Sequence, residues 1–258
     1  MSPAVGLQLY TLREQLAAPG SRPGLLERIS ALGVDSVEPY GFGSLDDARA
    51  LRAEADAAGL GISSVHGSIP ALDAAGEFFA ALAETGATVA ILPVPEALGD
   101  FDRDVFADAD GVARFGEALS GLADVAATHG ARVGYHNHWW EWKALPGGGS
   151  AYDALWARTD PRVLAEVDLY WAQGAGQVPA EVVARLGPRV ELMHVKDGPG
   201  TMEMPPRQVA PGRGAVALDA ALDAGAGTVT TAIIEADSVA GDVFEYIGAG
   251  ADWLRGRA

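Results

Sequence analysis

Short apolar runs alternate with longer helical stretches along this 258-residue chain, and eight such pairs can be traced. The runs are Ala4 to Tyr10, Val34 to Glu38, Ile62 to His66, Thr88 to Pro93, Arg132 to His136, Val163 to Asp168, Val190 to Val195 and Thr230 to Glu235. Helices are expected near 22–32, 45–58 and 72–85, then a long Ala-rich one ending at His129-Gly130, then near 152–158, 180–186, 218–224 and 239–254. Ser44 followed by Asp47 is a weaker form of the capping box, and Gly33 suits a helix end. Parallel strands covered on both faces read as near-continuous apolar runs, and eight strand–helix pairs in about 250 residues fit a closed (β/α)8 barrel. That barrel is expected to occupy residues 1–258 as a single α/β domain. A doubly wound open sheet fits less well, because Leu9-Tyr10-Thr11-Leu12 stands where such a sheet carries its glycine-rich phosphate turn.

Charge and cysteine content narrow the function. Eighteen Lys and Arg against 35 Asp and Glu give a net charge of −17. Nucleic acid is therefore a poor partner, since its sequence-independent affinity comes from basic side chains on phosphates. With no cysteine in the chain, disulfides, thiolate metal sites and cysteine nucleophiles are excluded, and any metal must be held by His and carboxylates. The N-terminus lacks a basic start followed by an apolar stretch, and no apolar segment approaches the ~20 residues of a membrane helix. A cytoplasmic location without a membrane partner is the expectation.

In a parallel barrel the catalytic groups lie at the C-terminal ends of the strands. Here the runs close on Gln8 and Tyr10, Glu38, His66, the stretch Tyr135-His136-Asn137-His138, Asp168, the stretch His194-Val195-Lys196-Asp197, and Glu235. Four of the five histidines fall at these ends, and the fifth, His129, sits at a helix C-terminus. Asp168, His194 and Glu235 stand out, because buried charges persist only when paired or bound to a cation. With a carboxylate from the fifth loop they make an oxygen-rich set with one imidazole, which suits Mn²⁺, Mg²⁺ or Co²⁺ better than structural zinc. Trp139, Trp140 and Trp142 read as packing or as an apolar wall beside a sugar-sized site.

The stretches Gly6-Leu-Gln-Leu-Tyr-Thr-Leu-Arg13, Gly134-Tyr-His-Asn-His-Trp-Trp-Glu-Trp142, Val167-Asp-Leu-Tyr-Trp171 with Gly174, Met193-His-Val-Lys-Asp197, Gly212-Arg-Gly214 and Ile233-Ile-Glu235 follow one another along the chain. Together they closely resemble the sugar phosphate isomerase/epimerase family, the xylose-isomerase-like TIM barrels. The resemblance implies a divalent metal, Mn²⁺ (manganese) first, held by Glu, Asp, His and Glu from strands five to eight, and it places Asp168, His194 and Glu235 on three of those positions. Strand five departs from the pattern: many relatives carry Glu at the strand end, where this chain has Tyr135-His136. Either Glu141 folds back as the ligand, or His136 takes that place and Glu141 contacts substrate; the ligand reading of Glu141 is preferred. The endonuclease branch does not fit, since Trp171 follows Asp168 by three residues and no Asp-x-His follows strand seven.

The resemblance further implies a sugar or keto-sugar substrate and a homo-oligomer. The expected reaction is isomerisation or epimerisation through an enediolate, with a metal lowering the pKa of a proton beside a carbonyl and a carboxylate moving it. Glu141 and Glu235 are the expected acid/base pair. Lys196 would stabilise an oxyanion or form a salt bridge with Asp197 or Glu38, and His136 and His138 are further acid candidates. Substrate contacts are expected from Gln8, Tyr10, Glu38, His66, His138, Trp171 and Arg213, with Arg207 beside Arg213 in the loop after strand seven. So few basic groups favour an unphosphorylated sugar. A metal-dependent keto-sugar or keto-inositol dehydratase or lyase needs the same first proton transfer, and a non-catalytic sugar-binding barrel or inactive subunit is the alternative of another class.

Overall fold

The computed structural model describes residues 2–257. All strands are parallel and run in the order β3-β2-β1-β9-β8-β7-β6-β5-β4, where β1 is Ala4–Gln8, β2 Ser36–Glu38, β3 Gly61–Ile62, β4 Val65–His66, β5 Val89–Leu92, β6 Arg132–His136, β7 Leu164–Asp168, β8 Leu192–Val195 and β9 Thr231–Ile234. The third expected strand is thus present in two pieces. Chain continuity through Ser63 and Ser64 joins β3, paired to β2, with β4, paired to β5. Backbone bonds from Ser63 N to Val37 O, 3.1 Å, and from Gly67 N to Ile91 O, 2.8 Å, carry the ring across this seam. Eight strand positions close the barrel, as the alternation of runs requires.

The helices are α1 Arg13–Leu16, α2 Arg22–Ala31, α3 Leu45–Ala57, α4 Ala75–Thr85, α5 Ala109–Thr128, α6 Ala151–Arg158, α7 Leu169–Gly174, α8 Pro179–Leu186, α9 Leu218–Ala224 and α10 Val243–Arg255. Their starts follow local chemistry. Ser44 Oγ accepts from Asp47 N at 3.1 Å, and Asp47 in turn accepts from Gly43 N rather than from the cap residue itself. Asp108 and Ser150 cap α5 and α6 in the same way. The long α5 buries Val112, Phe115, Leu119, Leu122 and Ala126, a stripe at helical spacing that lies against the barrel. Among the described residues no helix is long and apolar enough to cross a membrane.

Two elements differ from expectation for identifiable reasons. Strand one ends at Gln8, and Leu9–Leu12 form a 3₁₀ turn because the Gln8 side chain accepts from Tyr10 N and ends the ladder there. Helix α7 begins directly after β7, where Asp168 turns its carboxylate onto Trp171 N at 2.9 Å.

Inside the barrel the side chains lie in layers. Val89, Ile91, Leu164, Leu192 and Ile233 form an apolar layer, above which the strands present their polar ends. The layer closes tightly because Gly134 brings no side chain: a Cβ there would lie 2.5 Å from Ile91 Cδ1 and 3.0 Å from Leu164 O. Gly134→Ala is therefore expected to cost about 1–3 kcal/mol through overpacking, read from a lower urea midpoint at unchanged slope.

Candidate functional site

Each strand alternates its side chains, so residues two apart share the interior. On β7 this sets Glu166 beneath Asp168, and along β8 and its extension it sets His194 beneath Lys196. Strand register then brings His136 beside Glu166 and Asp168 beside His194. His66 enters from β4, Glu38 and Gln8 from β2 and β1, and Glu235 from the end of β9. Asn137 holds the β6–β7 edge by accepting from Asp168 N at 3.1 Å and donating to Asp168 O at 3.2 Å.

The result is a buried lattice of carboxylates and imidazoles. Glu38 accepts from Gln8 Nε2 at 2.8 Å and from Ser64 Oγ. His194 lies between two carboxylates, with Nδ1 2.5 Å from Glu235 Oε2 and Nε2 2.7 Å from Glu38 Oε1. Glu166 Oε2 is 2.7 Å from His66 Nε2 and 3.1 Å from His136 Nδ1. Lys196 Nζ approaches Asp168 at 3.0 Å, Glu235 at 2.8 Å and Asp237 at 3.0 Å. Lys196 thus pairs with neither Asp197 nor Glu38. Asp197 instead accepts from the backbone N–H groups of Gly198, Gly214 and Val216, which fastens the loop after β8.

Burial and charge oppose one another throughout. Burial lowers the affinity of His66 and His194 for protons, yet neighbouring carboxylates override it: His66 rises to about 9, and His194 well above its ordinary range. Burial alone would raise Glu38 and Glu235, but His66 and His194 hold the first, and Lys196 and His194 the second, well below the usual carboxylate range. Asp168 goes the other way, up to about 6, because burial outweighs the Lys196 charge. His136 and His138 are pushed well down by burial, with the charges of His194 and Lys196 adding to it, and both are neutral imidazoles.

Two overlapping groups of donors fit one cation. One atom each from His136, Asp168, His194 and Glu235 lie within 4.8 Å of one another, as do atoms from His66, His136, Glu166 and His194. Asp168 Oδ2 and Glu166 Oε1 are buried without a hydrogen bond, although Lys196 approaches the former at ion-pair distance. Such orphaned anionic oxygens fit a missing positive ligand. The first group has the Asp, His and Glu expected from strands six to eight, with His136 in the place for which Glu141 was preferred. Glu141 stands in neither group: the 3₁₀ turn Trp140–Trp142 directs its carboxylate onto Tyr135 Oη at 2.8 Å and His138 N at 3.0 Å.

A cleft of about 890 Å³ opens above this lattice, and His66, His136, His138, Glu235 and Asp237 line it together with Tyr10. Gln8 and Glu38 support it from within the buried network. Trp171 does not line it and packs on Trp139 at 4.6 Å, with Lys196 Nζ 5.5 Å from its ring. Arg213 and Arg207 are exposed and outside the cleft. Glu166 was absent from the sequence expectations, though its spacing from Asp168 put it on the same interior face.

Glu141 also carries a stability signature. Burial raises its carboxyl from the ordinary 4.5 to about 8, against the lowering hydrogen bond from Tyr135. Between those values the folded chain keeps a proton that the unfolded chain has lost, so stability falls as pH rises through the window. Glu141→Gln removes that loss. Its melting temperature, compared with the wild type, is expected to match near pH 4 and to gain steadily up to about pH 8.

The fold agrees with what comparison finds. A family model for the xylose isomerase-like TIM barrel matches residues 26–255. No curated protein matches the chain by sequence. A sugar phosphate isomerase/epimerase from Parabacteroides distasonis superposes with a TM-score of 0.79 at 23% identity, covering 99% of this chain and 94% of the other. The 3-keto-D-glucoside 4-epimerase of E. coli gives 0.69 at 16% identity over 98% and 99% of the two chains. A probable 3-DHS dehydratase from Bacillus anthracis gives 0.74 at 13% identity over 99% and 100%. At these identities the structures share the fold, and the family model supplies the assignment: this chain belongs to the xylose isomerase-like TIM barrels.

Proposed function

We propose that this barrel is a divalent-metal-dependent isomerase or epimerase of keto-sugars, with Mn²⁺ as the preferred ion. The observation that carries the reading is the convergence of His136, Asp168, His194 and Glu235 beneath an open cleft that His136 and Glu235 line. These four residues would hold the ion, with His136 in place of Glu141. An ion there would polarise a carbonyl and a neighbouring hydroxyl and so lower the pKa of the C–H beside them. The names of the epimerase neighbours support the substrate class.

The chain's own groups account for the proton movements. Glu235 lines the cleft and is held ionised, the form that takes up a proton. Lys196, buried and charged between Asp168, Glu235 and Asp237, supplies positive potential for a developing enediolate oxygen. His138 also lines the cleft as a neutral imidazole and serves as the second proton carrier. Its availability also favours the second reading, a lyase in which His138 protonates a leaving group after the same first step.

Incubation with keto-glucose in D₂O separates these readings. With Mn²⁺ present, NMR is expected to find solvent deuterium beside the carbonyl of an intact carbon skeleton, whereas loss of water or an aglycone would establish the lyase. Glu235→Gln should lower the exchange rate by about 10²–10⁴-fold, the usual worth of a positioned acid/base. Absence of exchange with any keto-sugar would overturn both readings.

The ligand assignment has its own test. A ligand that binds only the folded state at 100 times its Kd adds about 2.7 kcal/mol of stability. Mn²⁺ is expected to raise the melting temperature of the wild type and of Glu141→Gln but not of His136→Ala. Loss of the rise in Glu141→Gln alone would return Glu141 to the ligand set.

A further inference from the structure

The cleft is much larger than a sugar ring needs. At about 890 Å³ it lies in the upper part of the roughly 300–1,000 Å³ range that accommodates drug-sized ligands. His66, His136, His138, Glu235 and Asp237 are gathered at the β4, β6 and β9 ends, while the other side of the cleft, over the β1 to β4 ends, carries aromatic rings. There Tyr10 and Tyr40 meet edge to face at 5.7 Å, and Phe42 and Phe78 stack at 5.4 Å with their planes 20° apart. Tyr10 and Tyr40 are 40% and 47% exposed. Phe42 and Phe78 also pack against the core, but core packing does not explain the two exposed tyrosines that line the cleft beside them.

We propose that this aromatic wall is a subsite for an uncharged aryl group joined to the sugar, so that the preferred substrate is an aryl keto-glycoside rather than a free keto-sugar. The inference rests on the keto-sugar reading for the ring that sits over the metal donors. No Lys or Arg lines the cleft, and Glu77 and Glu96 add negative charge to that of Glu235 and Asp237. An anionic substituent such as a phosphate would be repelled there. Phe42, Phe78, Leu45 and Pro70 offer the hydroxyls of a second pyranose no side-chain partner, which leaves only Ser44, Ser68, Glu77 and the two tyrosine hydroxyls on that side to receive them. A flat apolar ring can stack on the same surface and bury its faces, as aromatic pairs prefer.

Binding and turnover are tested separately with the full-length, Mn²⁺-loaded protein. Calorimetry compares 4-nitrophenyl β-glucoside with methyl β-glucoside and with methyl cellobioside, none of which carries the carbonyl needed for reaction. The aryl glycoside is expected to bind about tenfold more tightly, which corresponds to 1.4 kcal/mol. Phe42→Ala and the more exposed Tyr40→Ala should each reduce that ratio towards one, and a circular-dichroism melt verifies that they fold. With keto-glycosides, the ratio of kcat/KM for the aryl substrate over free keto-glucose should fall in the same variants. Equal affinity for methyl and aryl glycosides, preference for the cellobioside, or an unchanged ratio in both variants would overturn the subsite. Preferred aryl binding without turnover of any keto-glycoside would leave the subsite standing and defeat the proposed activity instead.

Discussion

The barrel mouth is organised by a shortage of positive charge. Glu38, Glu166, Asp168 and Glu235 are buried together, with Asp237 at the rim, and face His66, His194 and Lys196 as their cations. Carboxylates outnumber the fixed cations in a setting where each unpaired charge is expensive. The rise of Asp168 to about 6 and the orphaned oxygens of Asp168 and Glu166 express that shortage. Around it, Ser64 and Gln8 donate to the Glu38 carboxylate and Asn137 clamps the Asp168 backbone, which holds these anions still without neutralising them. An arrangement of this kind is a poor way to stabilise a fold and a good way to keep donors aimed at one point.

Much of this could be read from residues because the strand period is simple. A polar residue closing an apolar run points into the mouth if its neighbour two positions earlier faces the interior, and His136, Asp168, His194 and Glu235 all obey that rule. Glu166 obeys it as well, but it sits inside the run, where a lone charge is easily taken as part of the strand rather than of the site. Lys196 likewise sits two positions beyond His194, but which carboxylates it meets depends on β7 and β9, which sequence spacing does not specify. Glu141 depends on a loop. Whether a side chain five residues past a strand end turns inward is decided by the Trp140–Trp142 turn and by Tyr135 Oη, and no periodicity encodes either.

The aromatic residues divide along similar lines. Trp139, Trp140 and Trp171 pack with His138 into one cluster that braces the β6 and β7 ends, the packing role expected of Trp139 and Trp140, whereas a substrate contact is the sequence expectation for Trp171. Tyr10, Tyr40, Phe42 and Phe78 come from three separate loops and elements, so their meeting is a property of the closed ring alone. Closure converts residues distant in the chain into one wall.

The seam at Ser63-Ser64 has a mechanical meaning. Strand β2 is three residues long, and its neighbour is split into two pairs, so the quarter of the barrel carrying the aromatic wall has the fewest ladder bonds to break. Local opening is cheapest where such bonds are sparse, and ligand-binding elements are drawn from that end of the stability range. A ligand bridging the wall and the charged floor would tie this loose quarter to the continuous ladders of β6 to β9, and so would make the ring more rigid when filled than when empty.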